Sequence, residues 1–243
     1  MRVAAVTDVG RVRPANEDYV FADADAGLLI VADGMGGHAA GEVASSIAAQ
    51  TIAAFLRGTM PDSVTLLLDA PRLLSEAVRR ADAAIRERAA TDPALTGMGT
   101  TVVVAIFRGN DIALAHVGDS RAYLLREGRL ERVTRDHSLV ARMVDAGTIT
   151  AAEARRHHLR NVITRSLGFE GNSEAEVQSL PWARGDVLLL CTDGLTGMLE
   201  DEEIEGLLAG CGEDLPAGAR ALIEAANSRG GTDNISVVLA LNA

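Results

Sequence analysis

The sequence predicts an α+β fold, with helices covering one antiparallel β-sheet or a pair of them, and three features carry that expectation. Short apolar runs at 3–6, 28–32, 101–107, 112–117, 122–125, 187–191 and 235–241 read as strands. Arg108, Gly109, Asn110 and Asp111 lie between two of these runs, and Glu127 and Gly128 follow a third. Neighbouring runs are therefore joined as hairpins and not through crossover helices. Two amphipathic stretches stand among the strands, so helices pack on the sheets from outside.

In the first helical stretch, Val43, Ile47, Thr51 and Phe55 recur at spacing four beside Ala44, Ala48 and Ile52 on the adjoining stripe. The second places Leu74, Val78, Ala81 and Ile85 on one face, with Arg79, Arg80, Asp82 and Glu87 off it. Residues 56–71 read as an irregular, exposed connection. Residues 138–165 form a small helical insertion: Leu139, Val140, Met143 and Val144 sit at helical spacing, Gly147 is a stop, and Thr150 with Glu153 makes a capping box. With little core of its own and the run His157, His158, Leu159, Arg160 at its far end, this insertion is expected to be mobile. No low-complexity tract or linker divides the chain, so residues 1–243 are read as one domain.

Composition narrows the function. At 243 residues with 48% apolar residues, the chain buries one sizeable core without disulfides. Its 23 basic residues against 34 acidic ones give a formal charge of −11, which repels nucleic acid and anionic membrane surfaces. The four-residue apolar run near the N-terminus is too short for a signal-peptide core, and no later stretch approaches a membrane span. A soluble, cytoplasmic protein is expected. Cys191 and Cys211 are isolated and read as inert thiols.

The chemistry is carried by acids at strand ends. LLIVADG (28–34) and LLLCTDG (188–194) are apolar strands that each finish in Asp-Gly. HVGDSR brings Asp119 after a third strand, and GGTDN puts Asp233 immediately before the last. Four carboxylates from separate parts of the chain can converge on one rim, and Gly34, Gly118 and Gly194 let backbone carbonyls approach. No His or Cys stands at ligand spacing near them, and oxygen-only ligands favour Mg²⁺, Mn²⁺ or Ca²⁺ over Zn²⁺. Two such ions a few Å apart bridge a water, lower its pKa and aim it in line at phosphorus. Arg13, ahead of Pro14, is the candidate guanidinium for the phosphate oxygens.

At this point a resemblance emerges. RPANED (13–18), VADGMGGHAAGEVAS (31–45), GMGTT (97–101), HVGDSRAY (116–123), RDHS (135–138), TRSLG (164–168), LCTDGL (190–195) and GGTDNISVV (230–238) stand in the order found in metal-dependent phosphatases of the protein phosphatase 2C type. The chain resembles that family end to end, and its compact bacterial branch most. The resemblance implies a sandwich of two antiparallel β-sheets flanked by α-helices, with 138–165 as a flap beside a metal cleft. It implies a serine/threonine phosphoprotein phosphatase using Mn²⁺ or Mg²⁺. Asp33 would bridge two ions, the Gly34 carbonyl would bind one, and Asp193 and Asp233 would hold the other. A third ion would fall on Asp119 with help from Asp193. Glu17 and Asp18 would contact metal-bound waters, Asn234 would support the ligands from outside, and Arg13 would clamp the phosphate.

One position departs from the family. Many eukaryotic relatives carry a His after the Asp-Gly, proposed as general acid, where this chain has Met35. His38 is the nearest substitute, and a metal-bound water is the favoured proton source for the leaving group. His116, His137, His157 and His158 are expected to be structural or surface residues. Two rival readings are a stress-response phosphatase of an anti-sigma-factor antagonist and a pseudophosphatase that binds phosphoproteins without turnover. The second is disfavoured because Asp33, Asp119, Asp193 and Asp233 are all present. Phosphorylated proteins are the expected partners, with a Hanks-type serine/threonine kinase and its targets implied by the resemblance.

Overall fold

The structure is a computed structural model that describes residues 1–36, 39–59, 63–171 and 173–243, apart from the side chains of 39 and 63–68. Strand β1 (Arg2–Asp8) is followed by β2 (Asp18–Asp23) and β3 (Leu28–Met35), then by two long helices, α1 (Ala39–Thr59) and α2 (Ser63–Thr91). Strands β4 (Gly99–Thr100), β5 (Val102–Arg108), β6 (Asp111–Val117), β7 (Arg121–Arg126) and β8 (Arg129–Arg132) come next. The short helices α3 (Leu139–Asp145) and α4 (Ala151–Arg156) precede β9 (Glu176–Pro181) and β10 (Val187–Cys191). Helices α5 (Asp193–Thr196), α6 (Asp201–Cys211) and α7 (Leu215–Ser228) lead into β11 (Ile235–Leu241).

The strands form two antiparallel sheets. One runs β1-β11-β10-β7-β8, and the other runs β2-β3-β5-β6-β9 with β4 paired to β3. Side-chain alternation then builds three apolar layers. On β3, Leu28 and Ile30 pack with Ile52 and Leu56 of α1 and Leu74, Val78 and Ile85 of α2. Leu29 and Val31, pointing the other way, meet Leu188 and Leu190 of β10 and Val238 and Ala240 of β11. The outer face of that second sheet supplies Leu189, Val237 and Leu239 to a layer completed by Ile204, Leu208, Leu222 and Ala226 of α6 and α7. Because these strands are covered on both faces, they read as unbroken apolar runs and not as alternating ones. Each fully buried Leu, Ile or Val contributes on the order of 1.5–3 kcal/mol.

Several local expectations are corrected. The inward stripe of α1 is Ala44, Ala48, Ile52 and Leu56, fully buried, while Val43, Ile47 and Phe55 pack half-buried at its flank. Residues 56–71 are mostly helical, since α1 extends to Thr59 and α2 begins at Ser63 with Pro71 inside it. Only 60–62, outside the described residues, separate the two. An interior proline costs a helix about 3 kcal/mol. The face formed by Ala70, Leu74, Ala77, Val78, Ala81 and Ile85 outweighs that cost. Asp82, expected off the packed face, is 6% exposed because its Oδ1 accepts the Gly168 N–H at 2.8 Å. Helices α6 and α7 and strands β2, β8 and β9 had no counterpart in the sequence reading. In α6, Gly206 and Gly210 dilute the period, and β9 offers only Val177 and Leu180 to a core. In α7 a usable signal did exist: Asp214 caps it, Pro216 enters its first turn, and Leu215, Ala219, Leu222 and Ala226 share a face.

Candidate metal centre

Five aspartates gather at one end of the sandwich, each delivered by a strand end. Asp18 opens β2 and pairs in register with Asp33 near the end of β3. Asp119 follows β6, Asp193 begins α5 directly beyond β10, and Asp233 precedes β11. Desolvation holds the Asp33 carboxyl well above the ordinary range, and the charges of Asp18, Asp193, Asp119 and Asp233 add to that in turn. Asp119 is raised by desolvation and then by Asp193, and Asp193 by desolvation and then by Asp233. Asp33 also stands close enough to Asp193 to lower its carboxyl, against the larger raising effects of burial and of Asp233.

Asp18 ties the two sheets together at this end. Its Oδ2 accepts the hydroxyl protons of Thr192 at 2.9 Å and Ser236 at 2.6 Å. The chain of donors extends outward, from Asn16 Nδ2 to Thr7 Oγ1 and from Thr7 to Ser236 Oγ, each at 2.7 Å. Its Oδ1 is buried with no partner, and burial pushes the carboxyl up to about 7.

The loop from 9 to 17 carries Arg13 and Glu17, and one side chain, that of Asn234, holds it at three points. Asn234 Oδ1 accepts the Glu17 N–H at 2.8 Å, and Asn234 Nδ2 donates to the carbonyls of Val9 and Ala15 at 2.9 Å each. Arg13 Nη2 donates to Asp233 Oδ2 at 2.7 Å, half-exposed at the rim. The Glu17 carbonyl accepts from Gly34 N at 3.2 Å and from Ser45 Oγ at 2.6 Å. A Cβ at Gly34 would fall 2.1 Å from the Gly41 carbonyl oxygen and 2.5 Å from that of Glu17, so only glycine permits this approach of α1 and the 9–17 loop.

The chemistry of the donors fits hard divalent cations: every candidate ligand is oxygen, the like charges outnumber nearby guanidinium groups, and a buried carboxylate oxygen stands unsatisfied. The aspartates do not form a closed cage. Among the described residues, the one trio of His, Cys, Asp or Glu ligand atoms lying mutually within 4.8 Å is His116, His137 and Glu176. An open arrangement suits Mg²⁺ and Mn²⁺, which retain several waters.

The histidine trio has other commitments. His137 Nδ1 accepts the Gly118 N–H at 3.1 Å, which puts the ring proton on Nε2, 3.4 Å from Glu176 Oε2 and 3.5 Å from Arg165 Nη1. The His116 ring stacks on it at 4.6 Å and reaches the Arg135 carbonyl through Nε2 at 2.8 Å. Burial depresses both, His137 to about 4, so the pair is neutral near pH 7. Twenty-one positions separate these histidines in the sequence, and no local spacing announces the pair. They fasten the base of the insertion to the turn before Asp119. Thr164 N–H also donates to the His137 carbonyl at 2.7 Å, closing that base.

Both short helices of the insertion are capped, the second by the expected capping box. Ser138 accepts from Ala141 N, and Thr150 and Glu153 complete the capping box. Arg155 then docks α4 onto the segment after Asp193, donating to the Thr196 and Leu199 carbonyls at 3.1 and 3.0 Å and pairing with Glu200 at 2.9 Å. Met35 pairs with Gly99 of β4, and His38 lies outside the described residues. Cys191 is buried and Cys211 half-buried, both unpaired. Among the described residues no helix is long and apolar enough to cross a membrane.

A pH test follows from the raised carboxyl groups. A carboxyl such as Asp18, lifted from 3.8 to about 7, favours the fold while protonated and withdraws that support as pH rises through 7. A divalent cation replaces the missing protons, so Mn²⁺ should raise the unfolding midpoint of chelator-treated protein more at pH 8 than at pH 5. Equal increments in differential scanning fluorimetry at the two pH values would contradict the cluster.

Known proteins share this sequence pattern and fold. The family profile described as Protein phosphatase 2C matches residues 12–230. The serine/threonine phosphatase Stp of Listeria welshimeri is 41% identical over 239 residues, covering 96% of this chain and 92% of that protein. The serine/threonine protein phosphatase PstP of Mycobacterium tuberculosis is 43% identical over 242 residues, 99% of this chain, yet the match spans only 45% of that longer protein. The crystal structure of the Mycobacterium tuberculosis phosphatase PstP/Ppp superposes with a TM-score of 0.90 at 42% identity, covering 100% of this chain and 99% of that one. A structure of the PstP catalytic domain in complex with two manganese ions gives 0.87 at 41% identity, covering 98% and 96%. A profile matched across nearly the whole chain, relatives above 40% identity and a common sandwich agree with the aspartate cluster, and the chain belongs to the protein phosphatase 2C family of metal-dependent serine/threonine phosphatases.

Proposed function

We propose that this chain removes phosphate from phosphoserine and phosphothreonine in proteins, with Asp33, Gly34, Asp193 and Asp233 holding two Mn²⁺ or Mg²⁺ ions and Asp119 a third. The observation that carries this reading is the convergence of Asp33, at the end of one sheet, and Asp193, just beyond a strand of the other, held against their mutual repulsion at one end of the sandwich. Divalent cations bound there supply Lewis acidity, acidifying a water for attack and neutralising charge on the phosphoryl oxygens. The chain's own residues do the rest. Asp33 and Asp193 provide the anionic floor, and Asp18 and Glu17 accept from waters around it. Arg13, steadied by Asp233, turns a guanidinium toward incoming phosphate oxygens. Met35 donates no proton, so the leaving alkoxide takes its proton from solvent held at the site.

The insertion at 138–165 serves as the flap that lays the peptide along the cleft. Its base bonds to the turn before Asp119 and its second helix to the segment after Asp193, so both ends touch elements that carry the proposed ligands. Because recognition centres on the phosphate, many phosphoproteins are accessible as substrates. A partner kinase of the Hanks type, acting in the cytoplasm of a bacterium, completes the proposed signalling circuit.

Turnover of a phosphothreonine peptide with Mn²⁺, abolished by EDTA and restored by added metal, tests the reading directly. Binding without turnover would instead indicate a phosphoprotein-binding module. Asp33→Asn and Asp193→Asn should each fold and lose at least about two decades of kcat, and retention of more than a tenth of the activity at saturating Mn²⁺ would remove them as ligands. Arg13→Ala loses a charge-assisted contact of about 1.5–3 kcal/mol, so KM for the peptide should rise about tenfold or more. An unchanged KM and kcat would place the phosphate elsewhere. Arg155→Ala undocks α4, and should depress phosphopeptide turnover severalfold while sparing para-nitrophenyl phosphate, which has no peptide to hold. Equal losses on both substrates would show that the insertion only supports the fold.

A further inference from the structure

GMGTT (97–101) lies opposite the carboxylates, and its last two residues grip Asp33 from both sides. The Asp33 N–H donates to Thr101 Oγ1 at 3.0 Å, while the Asp33 carbonyl accepts from Thr101 N at 2.9 Å and from Thr100 Oγ1 at 2.8 Å. Thr101 Oγ1 shares a further hydrogen bond of 2.7 Å with Ser120 Oγ, on the residue after Asp119. Its methyl group fills the space on the other side of Asp119: a Cβ at Gly118, where φ is +110°, would lie 2.5 Å from Thr101 Cγ2. Thr100, Thr101 and Ser120 are 0%, 2% and 1% exposed, so no water substitutes for a lost partner.

One side chain therefore contacts the peptide of Asp33 and both neighbours of Asp119. We propose that Thr101 is a positioning residue whose hydroxyl joins the Asp33 and Asp119 carboxylates into one frame, so that cation binding at either depends on the other. This rests on the aspartates being the metal ligands. The physical basis is the cost of an unpaired buried donor. Without the hydroxyl, the Asp33 N–H and the Ser120 hydroxyl lose their common partner, and the two strand ends relax independently. The Thr101 N–H and Thr100 hydroxyl still hold the Asp33 carbonyl, so the strand pairing survives and the loss falls on carboxylate placement.

The experiment is calorimetric titration of Mn²⁺ into the full chain, stripped of metal, for wild type, Thr101→Val, Thr101→Ser and Ser120→Ala. Thr101→Val keeps the shape and removes the hydroxyl, and should weaken Mn²⁺ binding about tenfold or more. Thr101→Ser keeps the hydroxyl and loses the methyl, and should bind within about threefold of wild type. Amide exchange at Asp33 should accelerate in the Val variant and not in the Ser variant. If Val binds as tightly as wild type, or Ser as weakly as Val, the hydroxyl bridge is overturned. Should Thr101→Val fail to fold, Ser120→Ala breaks the same bridge from its far side. It should then weaken the Asp119-dependent part of the titration, and an unaltered isotherm would overturn the proposal. A wild type that takes up no Mn²⁺ would defeat the metal reading itself, a result separate from equal binding by wild type and Thr101→Val.

Discussion

Asp18, Asp33, Asp119, Asp193 and Asp233 repel one another across one end of the sandwich, and much of the surrounding structure is organised to hold them there. Repulsion and desolvation raise the Asp33, Asp119 and Asp193 carboxyls together. A flexible scaffold would relieve that stress by letting the acids move apart. Two sheets packed through Leu29, Val31, Leu188, Leu190 and Val238 remove the option, because each acid stands in or beside a strand whose register with at least one neighbour is fixed over five residues or more. Polar bonds finish the work at the rim: Thr192 and Ser236 on Asp18, Asn234 on the 9–17 loop, Thr100 and Thr101 on Asp33. The hydrophobic layers supply stability and the hydroxyl and amide groups supply position.

That division explains what could be read from the sequence. The layered α+β class was legible because strands buried on both faces leave continuous runs such as LLIV and VLLL, and the ligand candidates because each run ends in an acid. The groups that place those acids were mostly invisible. Thr101 sits 68 positions from Asp33, and Ser236 sits 218 from Asp18. Contacts of that separation leave no periodic trace. Asp82 shows the same limit in a helix, where its position off the apolar face predicted exposure and a loop amide 86 positions away captured it. The reading of 56–71 as irregular failed because the packing of the Ala70, Leu74 and Ala77 face, which holds α2 through Pro71, lies in contacts the local sequence does not show. The histidines at 116 and 137 were anticipated as structural, but their stacked contact depends on the fold bringing the flap base against β6.

The insertion at 138–165 and the 9–17 loop stand on different supports. Arg13 and Glu17 ride on a loop pinned by Asn234, which ties that loop to the start of β11. The insertion is joined to β6 through His137 and to the α5 segment through Arg155, while its two capped helices stand outside the three apolar layers. Under the proposed function, changes in its exposed surface alter peptide contacts without disturbing the aspartate cluster.

The most direct test of the account is the position of manganese in a crystal grown with it, read from anomalous scattering at the manganese edge. Two peaks a few Å apart, one flanked by Asp33 and the Gly34 carbonyl and the other by Asp33, Asp193 and Asp233, are the predicted result. Peaks at His116, His137 and Glu176 with none among the aspartates would contradict it, and would move the metal chemistry to the base of the flap.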